Sequence, residues 1–357
     1  MKGVSVSRLP RLRTLLAALL ITALGAALGA AAFAYENAHQ VWRPQTTRTA
    51  TGWRIVEPGG RPPGEPSIGG DRLVWTWGAN TILMDLTSGK TRLLGAGVPS
   101  SEALPPSVSD RYVLFSEGDP DGSTTGYVYD ISSGKRSRLP GDVLVRSGVV
   151  LSGDSALWVA DQGVPEIRAY DLVTGRRSVV ATGEISYPLL ADGTLVAWYA
   201  TSPQTGWQGA TVVLVKDTAS GTVTTVPPPP YDPYERAKPT GWFALHDGKL
   251  LGLGTAPGQA GSSVLVREIS TGATRNLGTA EPGTPLAMDA VTVVWVERDA
   301  GLFGATRIVG RRLDGSQQFE IARVNGAVSA VSINGEWVAW VTQGLAKTWI
   351  ETARLPK

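Results

Sequence analysis

Several acidic residues of this chain, a residue type that could move protons or hold metal ions, recur in one setting. Five segments carry an acid four residues before a glycine: "LMDLTSGKT" (83–91), "VYDISSGKR" (128–136), "AYDLVTGRR" (169–177), "LVKDTASGT" (214–222) and "VREISTGAT" (266–274). A weaker copy is "GRRLDGS" (310–316). A catalytic group is needed once per site, whereas a turn is needed once per repeat. The recurrence therefore favours a hairpin turn in which glycine is left-handed and the acid accepts bonds from turn N–H groups.

Other carboxylates lie outside these repeats. An acid pair for sugar cleavage could come from Asp119, Asp161, Glu166 or Asp299, although their spacing brings no two of them together. The string "DPDG" places Asp119 and Asp121 at a spacing seen in calcium loops. The further acids and closing carboxylate of such a loop do not follow, so an ordinary turn is favoured. We therefore assign no catalytic residue and no metal site.

Composition removes several kinds of site. The chain has no cysteine, which excludes disulfides, thiolate nucleophiles and zinc-thiolate centres. It has two histidines, His39 and His246, and no G-x-S-x-G, P-loop or H-E-x-x-H motif, so no cofactor is predicted. Without the four cations before residue 14, 29 basic residues face 31 acidic ones. This balance argues against a nucleic-acid partner.

Aromatic residues in loops are candidates for binding rather than chemistry. Trp77, Trp207 and Phe303 could stack on sugars or partner side chains, or be partly buried between loops. The proline-rich string "VPPPPYDPYERAKP" (226–239) is expected to be extended and exposed. It carries a group of residues of the type that dominates protein interfaces, namely Tyr231, Tyr234 and Arg236. A plain connecting loop is the alternative.

The N-terminal sequence predicts the cellular location of the protein. Residues 14–35 carry no charge and follow a cationic segment, 1–13. Their length suits a transmembrane helix, whereas "AFA" ending at Ala34 suits a cleaved signal peptide. In both cases 1–13 stays in the cytoplasm and the remainder is extracytoplasmic. We expect a single-pass protein of the bacterial membrane with a polar stalk at 36–50, or a secreted protein if cleavage occurs.

The body consists of repeats. Short apolar runs end at a large residue every 40 to 55 positions, at Trp75, Phe115, Trp158, Trp198, Leu253, Trp295 and Trp340. Each run follows a tight turn with Asp or Asn and precedes an acid–glycine hairpin. Units of this length, built from four short strands, predict a β-propeller of seven blades. Six blades are the alternative, because the unit at Leu253 lacks an aromatic residue.

The last unit lacks its outer strand. After Trp340 the sequence predicts one further strand, "TWIETARL" (348–355), while "GWRIVEP" (52–58) precedes the first complete unit. An N-terminal strand that completes the last blade would close the ring and remove exposed edges. We therefore predict one all-β propeller domain over 51–357.

These repeats resemble those of TolB-like extracytoplasmic propellers. The resemblance rests on the order of apolar strand, Asp-Gly turn, "LVAW"-type strand (195–198) and "YDLVTG" hairpin (170–175), and it covers most of 60–350. It implies a propeller outside the cytoplasm.

The repeats also show which loops lie on each of the two faces of the predicted propeller. First–second and third–fourth turns are short and uniform, and they share one face of a propeller. The opposite face, which we call the variable face, carries diverse loops at 116–126, 159–166, 199–209 and 297–305. Because binding residues concentrate on loops held by a rigid scaffold, we expect the site there. The predicted function is binding of a protein or envelope polymer. The alternative is a polysaccharide lyase or hydrolase with carboxylates at the channel mouth.

Overall fold

The computed structural model describes residues 44–56, 63–96, 105–119, 124–140, 149–201, 211–230, 241–255, 261–298, 306–344 and 347–356. The predicted cytoplasmic segment 1–13 and membrane segment 14–35 lie outside this part of the chain. No helix among the described residues is long and apolar enough to cross a bilayer.

The described residues form 29 strands. In chain order the first fourteen are β1 (Gln45–Arg48), β2 (Gly52–Val56), β3 (Ser67–Gly69), β4 (Arg72–Trp77), β5 (Asn80–Asp85), β6 (Thr91–Ala96), β7 (Ser107–Val108), β8 (Tyr112–Gly118), β9 (Thr124–Asp130), β10 (Lys135–Arg138), β11 (Val149–Ser152), β12 (Ser155–Gln162), β13 (Val164–Asp171) and β14 (Arg177–Thr182). The others are β15 (Ser186–Asp192), β16 (Leu195–Thr201), β17 (Thr211–Asp217), β18 (Val223–Val226), β19 (Gly241–His246), β20 (Lys249–Gly254), β21 (Ser262–Glu268), β22 (Thr274–Ala280), β23 (Leu286–Met288), β24 (Thr292–Arg298), β25 (Thr306–Arg312), β26 (Phe319–Val324), β27 (Ala327–Asn334), β28 (Trp337–Gln343) and β29 (Thr348–Arg354).

These strands build seven antiparallel sheets, so the predicted seven-bladed propeller is confirmed and the six-bladed alternative is wrong. Blades 1 to 6 are four consecutive strands each, from β3–β6 to β23–β26. The first strand of each blade lies beside the first strand of the next, and β27 of blade 7 lies beside β3 of blade 1. The seven innermost strands therefore surround one central channel.

Blade 7 joins the two ends of the domain. Its strand order is β1-β2-β29-β28-β27, with Ile55 of β2 opposite Ile350 of β29. β2 thus takes the outer position that the last repeat lacks. The predicted polar stalk 36–50 needs correction at Gln45–Arg48, which pairs with β2 as a fifth strand. The unpaired main-chain N–H and C=O groups along the edge of β2 are the partners of this strand. The polar sequence "QTTR" gives no sign of that pairing.

Side-chain hydrogen bonds join blades 7 and 1 at two distances from the propeller axis. Near the axis, Trp337 Nε1 donates to Oδ1 of Asp71 at 3.0 Å, and the N–H of Gly70 donates to Oδ1 of Asn334 at 3.1 Å. Towards the rim, Trp53 Nε1 donates to the carbonyl oxygen of Leu86 at 2.7 Å. The ring is therefore closed by side chains as well as by strand pairing.

The recurring large residues form the packing between blades. Trp75, Trp158 and Trp295 are fully buried, and the other large residues that end the repeated runs are at most 5% exposed. Trp158, Trp198, Trp295 and Trp340 each pack in an apolar cluster that joins neighbouring sheets.

The acid–glycine motif is a turn. In blade 3, Oδ1 of Asp171 accepts the N–H groups of Val173 and Thr174, each at 2.8 Å, and Gly175 has a φ of +71°. These two bonds outweigh desolvation and lower the pKa of Asp171. The same glycine is left-handed in the other copies, at Gly89, Gly134, Gly221, Gly272 and Gly315. The turn reading of the repeated acid is therefore confirmed.

A second repeat is visible only in space. The outer strands of blades 1, 3 and 5 each contain one bulged residue that has no ladder partner, namely Leu94, Val180 and Leu277. A cation of the following blade donates to the carbonyl oxygen of each: Arg136 at 3.3 Å, Lys216 at 2.6 Å and Arg311 at 2.7 Å. We call this arrangement the bulge latch. It satisfies a carbonyl that a bulge removes from the ladder.

Candidate functional site

The candidate site is built around the connection from blade 5 to blade 6, which lies on the variable face. Its sequence "EPGTP" (281–285) places proline and glycine at the centre of a turn. The N–H of Thr284 donates to the carbonyl oxygen of Glu281 at 3.2 Å, and Gly283 has a φ of +75°. Proline followed by a left-handed glycine is the signature of a type II turn. The prolines restrict this segment, so it forms a stiff wall.

Three cavities follow that wall. One of about 610 Å³ lies between blades 5 and 6 and includes Glu281, Arg298 and Arg307 in its lining. A second, of about 230 Å³, shares Glu281 and Arg298 with it and extends along Gly283. We call these two together the radial groove. A third, of about 380 Å³, shares the stretch 283–285 with the second. The three cavities are thus contiguous.

The third cavity lies in the central channel, because residues of blades 1, 5, 6 and 7 meet only near the axis. We call it the channel cavity. Its lining is largely apolar and includes Pro66, Phe243, Leu286, Ala330 and Val331. One exposed carboxylate, Glu65, stands in this lining. The site therefore changes from polar in the groove to apolar at the axis.

A β-bulge presents Phe243 to the channel. Trp242 pairs with Gly252 and Ala244 pairs with Leu251, so Phe243 between them has no ladder partner. Phe243 is 38% exposed, whereas Trp242 beside it is 1% exposed. The hydroxyl of Tyr199 accepts the N–H of Trp242 at 2.6 Å and donates to its carbonyl oxygen at 2.7 Å. Burial raises the pKa of this hydroxyl, and its two bonds hold the bulge across the blade boundary.

Glu297 is a fixed carboxylate of the groove. Its Oε1 accepts Trp295 Nε1 at 3.1 Å and Gln318 Nε2 at 3.0 Å, and its Oε2 accepts Arg307 Nη2 at 3.0 Å. The Glu297 side chain is 17% exposed. Two donors on Oε1 and one on Oε2 hold this carboxylate in place. Glu297 in turn orients the guanidinium of Arg307.

The second ion pair of the groove is looser. Arg298 Nη1 lies 3.7 Å from Oε2 of Glu281, beyond hydrogen-bond distance, and both side chains are more than half exposed. Surface pairs of this kind contribute little to stability. Either partner can exchange the other for a ligand group at low cost. Arg298 is thus placed to bind a carboxylate, and Glu281 a cation.

Few of the sequence-predicted site residues can be placed. Asp119 Oδ2 accepts the hydroxyl of Thr125 at 2.7 Å, so it supports the base of its own loop. Asp161 stands in β12, and its side chain is not among those described. Glu166 stands in β13, where its Oε2 accepts Arg168 Nε at 2.9 Å. The remaining candidates, apart from Trp77, lie outside the described residues: Asp121, Trp207, Tyr231, Tyr234, Arg236, Asp299 and Phe303.

Of the two alternatives for Trp77, burial holds, since Trp77 is only 7% exposed at the end of β4, next to a tight hairpin at Gly78. The predicted loop 159–166 needs correction: it is mostly strand, because β12 and β13 continue to a turn at Gly163. In both hairpins the chain reverses within one or two residues, which run lengths did not indicate.

Sequence reasoning missed the groove residues. The "EPGTP" string was a readable turn signal, but Arg298 and Arg307 stand at strand ends where charged residues are common. His246, considered for chemistry, lies on the opposite face. Its Nδ1 is 3.4 Å from Oδ1 of Asp192 in the preceding blade. No group of three or more His, Asp or Glu in the described part of the chain is placed to hold a metal ion.

The chain folds as a seven-bladed β-propeller, in which the radial groove and the channel cavity share the turn between blades 5 and 6 as a wall. No protein-family model matches the chain, and no curated protein matches its sequence. It is similar to the β-propeller domain of the Trilobed protease from Pyrococcus furiosus, with 10% identity, a TM-score of 0.60, and coverage of 84% of this chain and 99% of that one.

Two further solved structures have related propellers. An oligogalacturonate lyase from Vibrio parahaemolyticus shares 10% identity at a TM-score of 0.59, over 88% of this chain and 97% of that one. TolB from Acinetobacter baumannii shares 13% identity at a TM-score of 0.43, over 76% and 77%. The predicted resemblance to TolB-like propellers is borne out as one of fold, for which the two higher-scoring structures carry the argument. At these identities the likeness concerns the fold alone.

Proposed function

We propose that this protein is an exported propeller, tethered to the bacterial membrane by its N-terminal segment, that binds a protein or polymer of the cell envelope. The observation that supports this proposal is the radial groove. It is a polar cleft beside a stiff turn, on the face where the loops differ from blade to blade. Rigid walls reduce the entropy lost when a ligand is held.

The groove chemistry favours binding over catalysis. Both oxygens of Glu297 are occupied by donors, while Glu281 and Arg298 are exposed and loosely paired. The pair of Glu297 and Arg307 is fixed in position, whereas the pair of Glu281 and Arg298 offers a ligand one negative and one positive group. A polymer with alternating polar groups, or an extended peptide, would meet both.

Photo-cross-linking of the full-length chain in its own cells tests this function. A photoreactive residue replaces Thr279 or Arg298, both exposed in the groove, or Val173, which is 58% exposed in a turn on the opposite face. We expect adducts from the two groove positions and none from Val173. Protease or glycosidase digestion then identifies the adduct as protein or polysaccharide. Equal adducts at Val173, or none in the groove, would refute the proposal.

A second candidate function is a polysaccharide lyase or hydrolase. The observation in its favour is the presence of two carboxylates and two guanidinium groups, Glu281 and Glu297 with Arg298 and Arg307, in one cleft. Incubation of the full-length protein with acidic and neutral polysaccharides tests it. If new chain ends form and Glu281→Gln removes this activity while Glu320→Gln on β26 retains it, the enzyme reading replaces the binding one.

A further inference from the structure

We infer that the ligand is a polypeptide segment, and that the channel cavity receives one of its large apolar side chains while the radial groove holds its polar part. This inference rests on the proposed function and narrows it to one class of ligand. It starts from the channel cavity, whose character differs from that of the groove it joins.

The exposure of Phe243 is the first observation. A phenylalanine with 38% of its surface accessible forfeits part of the stabilisation that burial would give. The bulge is what removes it from the ladder, and bulges recur where a protein re-aims a side chain near a functional site. A second bulge, at Ser329 of β27, lies in the same cavity. Two of the innermost strands that meet here are therefore irregular at the same place.

The size and lining of the cavity are the second observation. A volume of about 380 Å³ is near the lower end of the range for ligand pockets, roughly 300 to 1,000 Å³. Its apolar walls come from Pro66, Phe243, Leu286 and Val331. Such a space fits one large apolar side chain and excludes a folded domain. A polysaccharide presents hydroxyl groups on every ring, and the apolar walls of this cavity would leave many of them without partners.

The position of the channel cavity beside the radial groove indicates which charge the ligand carries. The channel cavity shares the stretch 283–285 with the radial groove, where Arg298 is more than half exposed. An extended peptide that inserts an apolar side chain at the axis must leave the channel along this wall. It then passes the loosely paired Arg298 and Glu281, and an acidic residue in the same short segment can replace Glu281 as the partner of Arg298. The expected occupant thus combines one large apolar residue with a nearby Asp or Glu.

Selection from a phage library of random hexapeptides tests the inference on the full-length protein in detergent micelles. We expect enriched sequences to contain Phe, Leu, Ile or Trp together with an acidic residue. Phe243→Asp should weaken binding of a synthetic consensus peptide about 10- to 100-fold, the amount expected for loss of one buried apolar side chain. Phe243→Leu, which keeps an apolar wall, should retain binding. Arg298→Glu should shift the enriched charge from acidic to basic.

Several outcomes would overturn the inference. Enriched sequences without a large apolar residue would do so, as would equal binding by Phe243→Asp and the unmodified protein. If no peptide is enriched while Thr279 cross-links to a polysaccharide, the ligand class inferred here is wrong and the proposed binding function stands. If no groove position forms any adduct, both fail. Thermal unfolding of each variant checks that it is folded.

Discussion

Nη1 of Arg311 in blade 6 lies 2.7 Å from the carbonyl oxygen of Leu277 in blade 5. Leu277 is the bulged residue of β22, so its carbonyl lies outside the ladder, and Arg311 compensates from the next sheet. Lys216 and Arg136 do the same for Val180 and Leu94. The bulge latch thus couples consecutive blades through bonds that each blade could not form alone.

Removal of one latch should destabilise the ring. Arg311→Met keeps most of the aliphatic stem but leaves the Leu277 carbonyl without its charged donor. We expect a loss of about 1 to 3 kcal/mol in the free energy of unfolding, the usual cost of an unsatisfied buried group. Urea denaturation measures it. Arg176→Met, at an exposed turn position, is the control and should change stability by less than about 0.5 kcal/mol. Equal effects of the two substitutions would show that the latch contributes nothing.

A substitution in β2, which closes the ring, should lower the free energy of unfolding more than a substitution in the extra strand β1. Ile55 is fully buried opposite Ile350, so Ile55→Ala should cost about 2 to 5 kcal/mol through lost burial and a cavity. Thr47→Ala on the exposed strand β1 is the matched change. Thermal and urea unfolding of both variants compare the two strands. A small effect of Ile55→Ala would mean that the N-terminal strand is not needed for a stable ring.

Two adjacent aromatic residues should respond differently to truncation. Trp242 is 1% exposed and Phe243 is 38% exposed. Trp242→Ala should destabilise the protein by about 3 to 5 kcal/mol, as for other buried aromatic residues. Phe243→Ala should cost markedly less, because much of its ring already contacts solvent. Urea unfolding of the two variants tests this contrast, and equal losses would place Phe243 in the core rather than at a site.

Acid should weaken the blade 1 turn. Burial alone would raise the pKa of Asp85, but bonds from Thr87 and Ser88 and the charge of Arg72 outweigh it and lower the pKa to about 2. A lowered folded-state pKa gives stability that is present above the unfolded value, near 3.9, and is lost as pH falls towards 2. The stability difference between the native protein and Asp85→Asn should therefore shrink between about pH 4 and pH 2.

Solvent screening limits the size of this effect to about 1 kcal/mol, since the carboxylate is 29% exposed. Urea unfolding at pH 6, 4 and 2.5 measures it. A difference that stays constant over this range would show that the ionised form of Asp85 does not stabilise the fold.

The N-terminal segment can be tested by the mass of the mature protein. If residues 14–35 form a membrane anchor, the chain from membranes should retain its N-terminal cationic segment. Cleavage after Ala34 would instead give a chain that starts at Tyr35 and is released from membranes. A protein recovered only from the cytoplasm would contradict both versions of the predicted address.

Local sequence was sufficient wherever a structure depends on near neighbours. The acid–glycine turns, the strand periodicity and the anchor residues rest on contacts within a few positions or on a repeated core, so the pattern predicted seven blades. The missing outer strand of the last repeat predicted where the ring closes. The sequence left open whether Trp77 is exposed or buried, because exposure depends on how neighbouring loops and blades cover a ring.

The site and the latches were decided by the tertiary structure. Lys216 and Arg311 stand on the third strands of their blades, whereas Arg136 stands on the fourth strand of blade 2. They still reach equivalent carbonyls, because long flexible side chains can start from several backbone positions and end at one point. The groove likewise joins Glu281, Arg298 and Phe243 across two blades and the axis. Such convergence leaves no periodic signal, since it depends on the distances between sheets rather than on spacing along the chain.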